Sequence, residues 1–407
     1  MQNADASSER VSILCQDIPY PPHDGGKLDL WNLIRGLHRE RVTVQLVCWF
    51  REKPIEEAVK RELLNVAVEV VEVRRCPGWW RGLHLVYPPR MVSFKPSTQD
   101  YAELRSRVQA FAPDWILLDS WLGYLTARAL STDLRKPFIY RSQNVEHKYH
   151  RDQRRLAKGT LKVKLIVNSI RLAAVEREIR QTASLVADIS DEDRAEWSQR
   201  GAEGHSLVIR PIWFDSPANV SIGTVVDIDL LFVGNLRTPN NVEGLRWFTS
   251  EVLPIIRRKS PQALRVVFAG SDPDSRDLTF WRFAGIQCDP NPRDVSAYYQ
   301  RTSVVINPVQ HGSGVNLKMV EAFSTGKPIV GTPVSVRGLP NPIRATVSVC
   351  DSATAFAAAA LEALTVGTSR TDRSTRAVLL DRYFGPSNAQ ALIRAVAMLR
   401  QSQSLSS

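Results

Sequence analysis

Cysteine is scarce and scattered: the 407-residue chain has five, Cys15, Cys48, Cys76, Cys288 and Cys350, and none forms a C-x-x-C pair. An odd, widely spread set excludes a disulfide framework and reads as the reduced thiols of a cytoplasmic protein. The seven histidines show no H-E-x-x-H or comparable spacing, and His147 and His150 lack a third ligand of the right kind nearby, so no protein-bound metal or cofactor is expected. Long apolar runs are missing too. No window nears the roughly 18 uninterrupted apolar residues that cross a bilayer. The opening MQNADASSER is polar, so neither a membrane span nor a secretory signal is expected. Low-complexity tracts and internal repeats are also absent.

What is present is the composition of a folded protein, with 43% hydrophobic, 23% charged and 8% aromatic residues. The length gives a prior of two to three domains. A net charge of +11 favours anionic partners: phosphate-bearing substrates, an anionic membrane surface or nucleic acid. More than half of that excess lies between Arg151 and Arg180, where nine basic residues face three acidic ones and alternate with Leu161, Val163, Leu165, Ile166, Ile170 and Leu172. The stretch reads as one basic helix, either a solvated face or a surface lying on anionic lipid or holding a lipid-diphosphate acceptor. The Arg-Arg-Cys-Pro-Gly-Trp-Trp-Arg segment at 74–81 is either an interfacial patch or a pair of buried tryptophans. A pI of about 9.6 comes with no groove-reading or aromatic RNA motif, so no nucleic-acid partner is expected.

Apolar β-rich runs alternate with amphipathic helical stretches, the pattern of parallel sheets covered by helices. Strands are expected at 11–15, 42–48, 115–119, 138–141, 185–190 and 207–210, then at 229–233, 265–269, 303–307, 328–331 and 346–349. The signal lapses around 213–224 into a polar, turn-forming stretch. The expected division is an N-terminal Rossmann-like domain over 1–215, a linker over 216–226 and a second Rossmann-like domain over 227–385. A C-terminal helix and disordered tail follow over 386–407, the helix packing back on the first domain. This is an α/β chain of two doubly wound domains facing across a cleft.

In such folds the strand-to-helix turns bind phosphates, and glycine there permits close backbone approach. Three turns qualify. Gly25-Gly26-Lys27 opens a helix and is either an anion site or a plain tight turn. The run FVGNLRTPNN places Gly234, Asn235, Arg237 and Asn241 after a strand, with Arg237 meeting a diphosphate or standing solvated. In the third, Gly312-Ser313-Gly314 precedes a helix read from Asn316, so that Lys318 faces an anion and Glu321 accepts from sugar hydroxyls. The alternative for those two is a surface i, i+3 pair. His311 either contacts a sugar or is structural, and Glu146 and His147 either line an acceptor site or cap the basic helix.

The segment GSGVNLKMVEAFSTGKPIVGT resembles the donor-site signature of retaining glycosyltransferases of family 4, which have the GT-B fold. FVGNLRTPNNVEGLRWF, PYPPHDGGKLDLWNLIRGL and RSQNVEHKYH are similar to other parts of that family in the same order, so the resemblance spans almost the whole chain. It implies transfer of a sugar from a nucleoside-diphosphate-sugar to a hydroxyl of a glycan or lipid-linked glycan, with retention and without metal, in polysaccharide or glycolipid assembly. By the same resemblance Glu321 bonds the nucleotide ribose, Lys318 faces the donor diphosphate and Gly314 lets the backbone approach the sugar. Gly25 and Gly26 stand near the phosphates and acceptor, with Lys27, Gln143, Asn144, Glu146 and His147 on the acceptor side. The donor set also takes in Gly234, Asn235, Asn241, His311, Ser313 and Asn316.

Some positions depart from the family pattern. Ser313 stands where a glutamate often lies, Asn316 replaces a frequent arginine, Asn235 and Asn241 replace a basic pair, and Gln143 replaces a histidine. Positive charge for the leaving diphosphate then falls to Arg237, Lys318 and helix N-termini, which stabilise it electrostatically. Two other readings share the fold: a nucleotide-sugar epimerase or phosphorylase, and a catalytically silent nucleotide-sugar-binding scaffold. The expected location is the cytoplasm, with the Arg151–Arg180 stretch docking peripherally on the cytoplasmic membrane face.

Overall fold

The computed structural model describes residues 9–22, 24–50, 54–75, 86–157, 159–201, 205–214, 225–271, 274–367 and 371–405. These form two compact units. The first comprises Met1–Arg151, Gly159–Ile212 and Pro386–Ser407, and the second comprises Asp152–Lys158 and Trp213–Gly385.

The first unit holds β1 (Arg10–Cys15), β2 (Thr43–Phe50), β3 (Glu69–Arg74), β4 (Trp115–Leu118), β5 (Phe138–Ser142), β6 (Leu185–Asp188) and β7 (Ser206–Val208). They pair in the order β3-β2-β1-β4-β5-β6-β7, all parallel, with Val11 opposite both Val44 and Trp115. A parallel sheet is covered on both faces, so its strands are apolar throughout rather than alternating. All four residues of β4, Trp-Ile-Leu-Leu, are buried accordingly, and the core over this sheet gathers Leu14, Val47, Phe94, Leu118, Tyr140 and Ile179.

The second unit repeats the plan with β8 (Ile228–Val233), β9 (Val266–Gly270), β10 (Gln287–Pro290), β11 (Thr302–Asn307), β12 (Ile329–Gly331) and β13 (Ser348–Val349). Their order is β10-β9-β8-β11-β12-β13, again all parallel. In each sheet the chain reverses its direction of travel between the first strand and the one added beside it, β1/β4 and β8/β11. Ligand crevices form at such switch points, outside the carboxyl ends of the strands.

Two strands escape the sequence reading, β3 and β10, and both lie at sheet edges. Glu69-Val-Val-Glu-Val-Arg74 carries charges at three of six positions, and Gln287-Cys-Asp-Pro290 has one buried residue, so neither shows the apolar run that marks a central strand.

The basic stretch is not one helix but three, Glu146–Leu156, Gly159–Ser169 and Leu172–Thr182. Left-handed backbone at Gly159 (φ +57°) and Arg171 (φ +62°) interrupts it, a conformation no continuous helix accommodates. Its charge is not all on the surface either. Arg180 is buried and donates to both oxygens of buried Asp188, at 2.7 and 2.9 Å. The Gly159–Ser169 helix and its end do expose Val163, Ile166, Val167 and Ile170. Among the described residues no helix is long and apolar enough to cross a membrane. Most of the expected linker and residues 76–81 of the Trp-Trp segment, Cys76 included, lie outside the described residues.

The final helix runs Ser387–Leu405 and buries Leu392 and Val396. It belongs to the first unit, where Gln390 donates to Glu40 (3.0 Å) and Arg400 donates to Asp114 (2.7 Å).

Candidate active site

In the first unit the Gly25–Arg39 helix starts directly after the turn that follows β1. Asp24 caps it, its carboxylate accepting from the Lys27 N–H at 3.0 Å. The Lys27 ammonium is paired with Asp17 at 3.1 Å. A methyl group on Gly26 would meet the Gln143 amide oxygen at 3.3 Å, so the glycine lets that side chain approach the helix start. Gln143, just beyond β5, donates its amide to Asp119, just beyond β4, at 2.8 Å. Burial pushes the Asp119 carboxyl up to about 7, the nearby Asp29 carboxylate adds to the rise, and the Gln16 N–H, Arg141 and Gln143 oppose it. Asp29 is itself held by Arg141 through bonds of 2.8, 3.0 and 3.2 Å, both side chains almost wholly buried, and Arg141 also bonds the Ile209 carbonyl.

Glu146 and His147 open the next helix, and neither caps it. Glu176 does so from 30 residues away, accepting the Glu146 N–H at 2.7 Å and the His147 N–H at 2.8 Å, with His147 Nδ1 a further 2.7 Å contact. Burial and the Glu176 carboxylate push Glu146 up to about 8, against the opposing Asn144 hydrogen bond and Arg90 charge. His150, 3.9 Å from Glu146 and edge-on to Trp121, is driven down to about 4 by burial and then by Arg90.

In the second unit the turn after β8 and the loop after β11 meet at a cation. The Lys318 ammonium donates to Asn241 at 2.6 Å and sits 4.8 Å from the centre of the Phe232 ring. A methyl group on Gly234 would come within 3.1 Å of that nitrogen. The Lys318 side chain as a whole is half-buried, but its charged end lies deep, and burial lowers its pKa to about 7 against the opposing pull of Glu321. Asn241 in turn donates to the Asn235 carbonyl at 2.7 Å, and the Asn235 side chain accepts from the Arg237 and Thr238 N–H groups at 2.8 and 3.1 Å, closing the turn. The Arg237 side chain is exposed.

The helix behind the third glycine loop spans Leu317–Thr325, with Asn316 at its cap position and Gly314 at φ +71° just upstream. Glu321 accepts from the buried Tyr299 hydroxyl at 3.2 Å, while His311 pairs with Glu243 at 3.3 Å and Ser313 is half-buried. Asn307, at the end of β11, is buried, and its amide has no hydrogen-bond partner among the described residues. A buried unpartnered amide at a strand's carboxyl end is costly unless something else bonds it.

The structure therefore gathers Gly234, Asn235, Asn241, Lys318 and Glu321 around one switch point, and Gly25, Gly26, Lys27 and Gln143 around the other. Glu146 and His147 are tied to Glu176 instead. Sequence reasoning missed Asp119, Asp29, Arg141, Glu176 and Tyr299. Only Asp119 carried a signal, as a carboxylate ending the apolar run Trp-Ile-Leu-Leu. Among the described residues no group of three or more His, Cys, Asp or Glu side chains is placed to hold a metal ion.

Two parallel doubly wound sheets of this order define the GT-B fold, and solved GT-B structures resemble the chain along its length. The HepE protein of Anabaena, solved with UDP and glucose, aligns with a TM-score of 0.62 at 15% identity, covering 96% of this chain and 100% of that one. Sucrose-phosphate synthase from Thermosynechococcus elongatus aligns with a TM-score of 0.62 at 16% identity, over 98% and 99% of the two chains. In sequence, residues 227–365 match the family model described as Glycosyl transferases group 1. An uncharacterized 44.6 kDa protein in the cps region of Klebsiella pneumoniae is 24% identical over 344 residues, 81% of this chain and 84% of that protein.

Proposed function

We propose that the protein transfers a sugar from a nucleoside-diphosphate-sugar, of the UDP class, to a hydroxyl of a glycan or lipid-linked glycan, with retention at the anomeric carbon. The observation that carries this reading is the Lys318 ammonium, buried beside Gly234 at the β8/β11 switch point in the segment that matches group 1 glycosyltransferases. A buried cation is costly alone and favourable against a diphosphate. The UDP and UDP-glucose complexes of the HepE protein support the nucleotide class, and the cps-region relative supports a place in polysaccharide assembly.

In this reading the donor's anomeric carbon–oxygen bond to the diphosphate breaks as the acceptor oxygen bonds to the same carbon. The acceptor proton passes to the departing phosphate oxygen, so no protein base is needed. Lys318, Arg237 and the N–H groups opening the Leu317–Thr325 helix stabilise the charge that develops on the diphosphate. That cationic set performs the neutralisation for which other transferases use a metal. Glu321, steadied by Tyr299, takes the ribose hydroxyls, and Gly314 admits the sugar. His311, Ser313 and Asn316 line the same loop.

On the acceptor side, Gly25, Gly26 and Lys27 open the helix after β1. Gln143, its amide nitrogen held by Asp119, presents its oxygen toward Gly26, where it can accept from the acceptor hydroxyl. Asn144, Glu146 and His147 lie next along the chain. The Gly159–Ser169 helix, with exposed Val163, Ile166 and Val167 beside Lys162 and Lys164, docks the enzyme peripherally on anionic lipid at the cytoplasmic face.

The test is incubation with UDP-sugars in EDTA, with membrane-derived acceptors, and NMR of the product. An α-linked product from an α-configured donor, undiminished by EDTA, is the expected result. A β-linked product removes retention, and loss of turnover in EDTA that is restored by a divalent metal removes metal independence. Hydrolysis or epimerisation without transfer removes the reading itself.

A further inference from the structure

The first unit contains a cavity of about 420 Å³, within the range of small-ligand sites, that neither glycine turn fills. It opens at the carboxyl ends of β1, β2 and β3, and Asp17, Trp49, Phe50, Arg75, Arg90 and Phe94 are among its walls. Among its described lining residues three are aromatic and two are arginines. Arg75 is held in place: its guanidinium carbon stands 4.2 Å above the Phe94 ring, and one terminal nitrogen donates to the Ser93 hydroxyl at 2.9 Å. A guanidinium fixed in plane by stacking is prepared to meet a flat or tetrahedral oxyanion in two-pronged fashion. Arg90 lies in the short Pro89–Val92 helix, its own N–H donating to Asn168 at 2.9 Å, and its charge reaches the Glu146 and His150 cluster, opposing the rise at Glu146 and adding to the fall at His150.

The aromatic wall is itself tightly packed. Trp49 is buried, and its indole N–H has no hydrogen-bond partner among the described residues. Its ring packs on Phe94 at 5.6 Å between centres. Among the described residues of the wall the only acidic side chain is Asp17, which faces Lys27 at 3.1 Å, offsetting its charge.

The cavity adjoins the acceptor turn through shared residues. Asp17 pairs with Lys27 of the Gly25–Gly26 turn, and Gln16, also in the cavity wall, gives its N–H to Asp119, which holds Gln143. Resting on the glycosyltransferase reading, we propose that this cavity is a specificity site for an anionic oxygen group, phosphate or carboxylate, borne by the acceptor. Arg75 and Arg90 neutralise it, and the aromatic walls pack against the sugar or lipid carbon beside it. The acceptor is thereby an acidic sugar or a diphosphate-linked one, not a neutral glycan.

The experiment is calorimetric titration of the full-length protein, saturated with UDP so that the donor site is filled, with geranyl diphosphate, glucuronate and glucose in turn. One of the two anions binds, glucose binds at least tenfold more weakly, and Arg75→Gln and Arg90→Gln each weaken the anion at least tenfold. Diphosphate binding assigns a lipid-linked acceptor, and glucuronate binding assigns an acidic glycan. Arg90 is exposed, so its variant is a test in which the fold is not at stake, and Arg75→Lys, which keeps the charge but not the planar stack on Phe94, recovers part of the loss. Failure of both anions to bind better than glucose, or undiminished binding by the variants, overturns the proposal. UDP binding, measured first on the same samples, is left unaltered by either variant. Its absence would break the transferase reading, whereas the anion titrations, repeated without UDP, still decide this site.

Discussion

After β1, the turn that opens the Gly25–Arg39 helix is backed by carboxylates: Asp24 caps the helix, Asp119 stands behind Gln143, and Asp29 lies below on Arg141. After β8, the equivalent turn is backed by an ammonium, with Lys318 beside Gly234, bonded to the Asn241 amide and set against the Phe232 ring. The two sheets share a strand order, so topology does not set this difference. It arises because the same crevice can be lined with opposite charge by changing a few residues beyond the strand ends. The first unit pairs its buried Arg141 and Arg180 internally, with Asp29 and Asp188. The second leaves a buried cation waiting for an anion, which makes it the donor side in the reading proposed above.

The largest effect that would break the comparison is in the first unit. Arg141→Met leaves Asp29 buried without its partner and should cost about 3–5 kcal/mol of stability, read in urea melts. A loss under 1 kcal/mol would mean that the pair is not holding the crevice floor. In the second unit, Glu321→Ala should weaken UDP binding at least tenfold, about 1.4 kcal/mol, with the melting temperature nearly unchanged. Unaltered affinity would remove Glu321 from the ribose. Smallest is the surface term: Lys164→Gln should weaken binding to phosphatidylserine vesicles by about 1 kcal/mol, and wild-type protein that ignores such vesicles would discard membrane docking.

The buried charges also give the units opposite pH signatures. Lys318 has a folded pKa lowered from its usual range to about 7, so between about 7 and 10.5 the unfolded chain binds more protons and stability rises with pH. Asp119 and Glu146, raised to about 7 and 8, do the reverse, since stability present at acid pH is lost as pH climbs through those values. Lys318→Met should therefore flatten the alkaline limb of a stability profile, and Asp119→Asn the limb below neutrality. Identical profiles for wild type and both variants would erase the electrostatic contrast.

Much of this fold was legible in the sequence, because central parallel strands are buried on both faces and read as mainly apolar runs such as Val-Ser-Ile-Leu-Cys and Ile-Asp-Leu-Leu-Phe-Val, each interrupted by one polar residue. The edge strands β3 and β10 were not, since an edge tolerates charge. Glycine turns were legible because they are local. The residues behind them were not: Asp29 and Arg141 are 112 positions apart, Glu176 caps a helix 30 residues away, and Tyr299 reaches Glu321 across 22. Nothing in a local window marks such partners, which are joined only by the parallel crossover connections. The basic stretch misled for a related reason, because counting charge along the chain does not distinguish exposed Lys162 from Arg180, whose charge is spent inside on Asp188.

The measurement that goes most directly to the central claim is titration of UDP into the wild-type protein and Lys318→Ala, in EDTA, from pH 6 to 9. With Lys318 as the diphosphate's buried partner, wild type binds saturably with a proton taken up near neutrality, and its affinity falls by up to about tenfold per pH unit above 7. Lys318→Ala then binds at least tenfold more weakly at pH 6 and loses that pH dependence. Affinity in the variant equal to wild type, or no binding of UDP at any pH, would contradict the assignment of the second unit's crevice to a nucleoside-diphosphate-sugar.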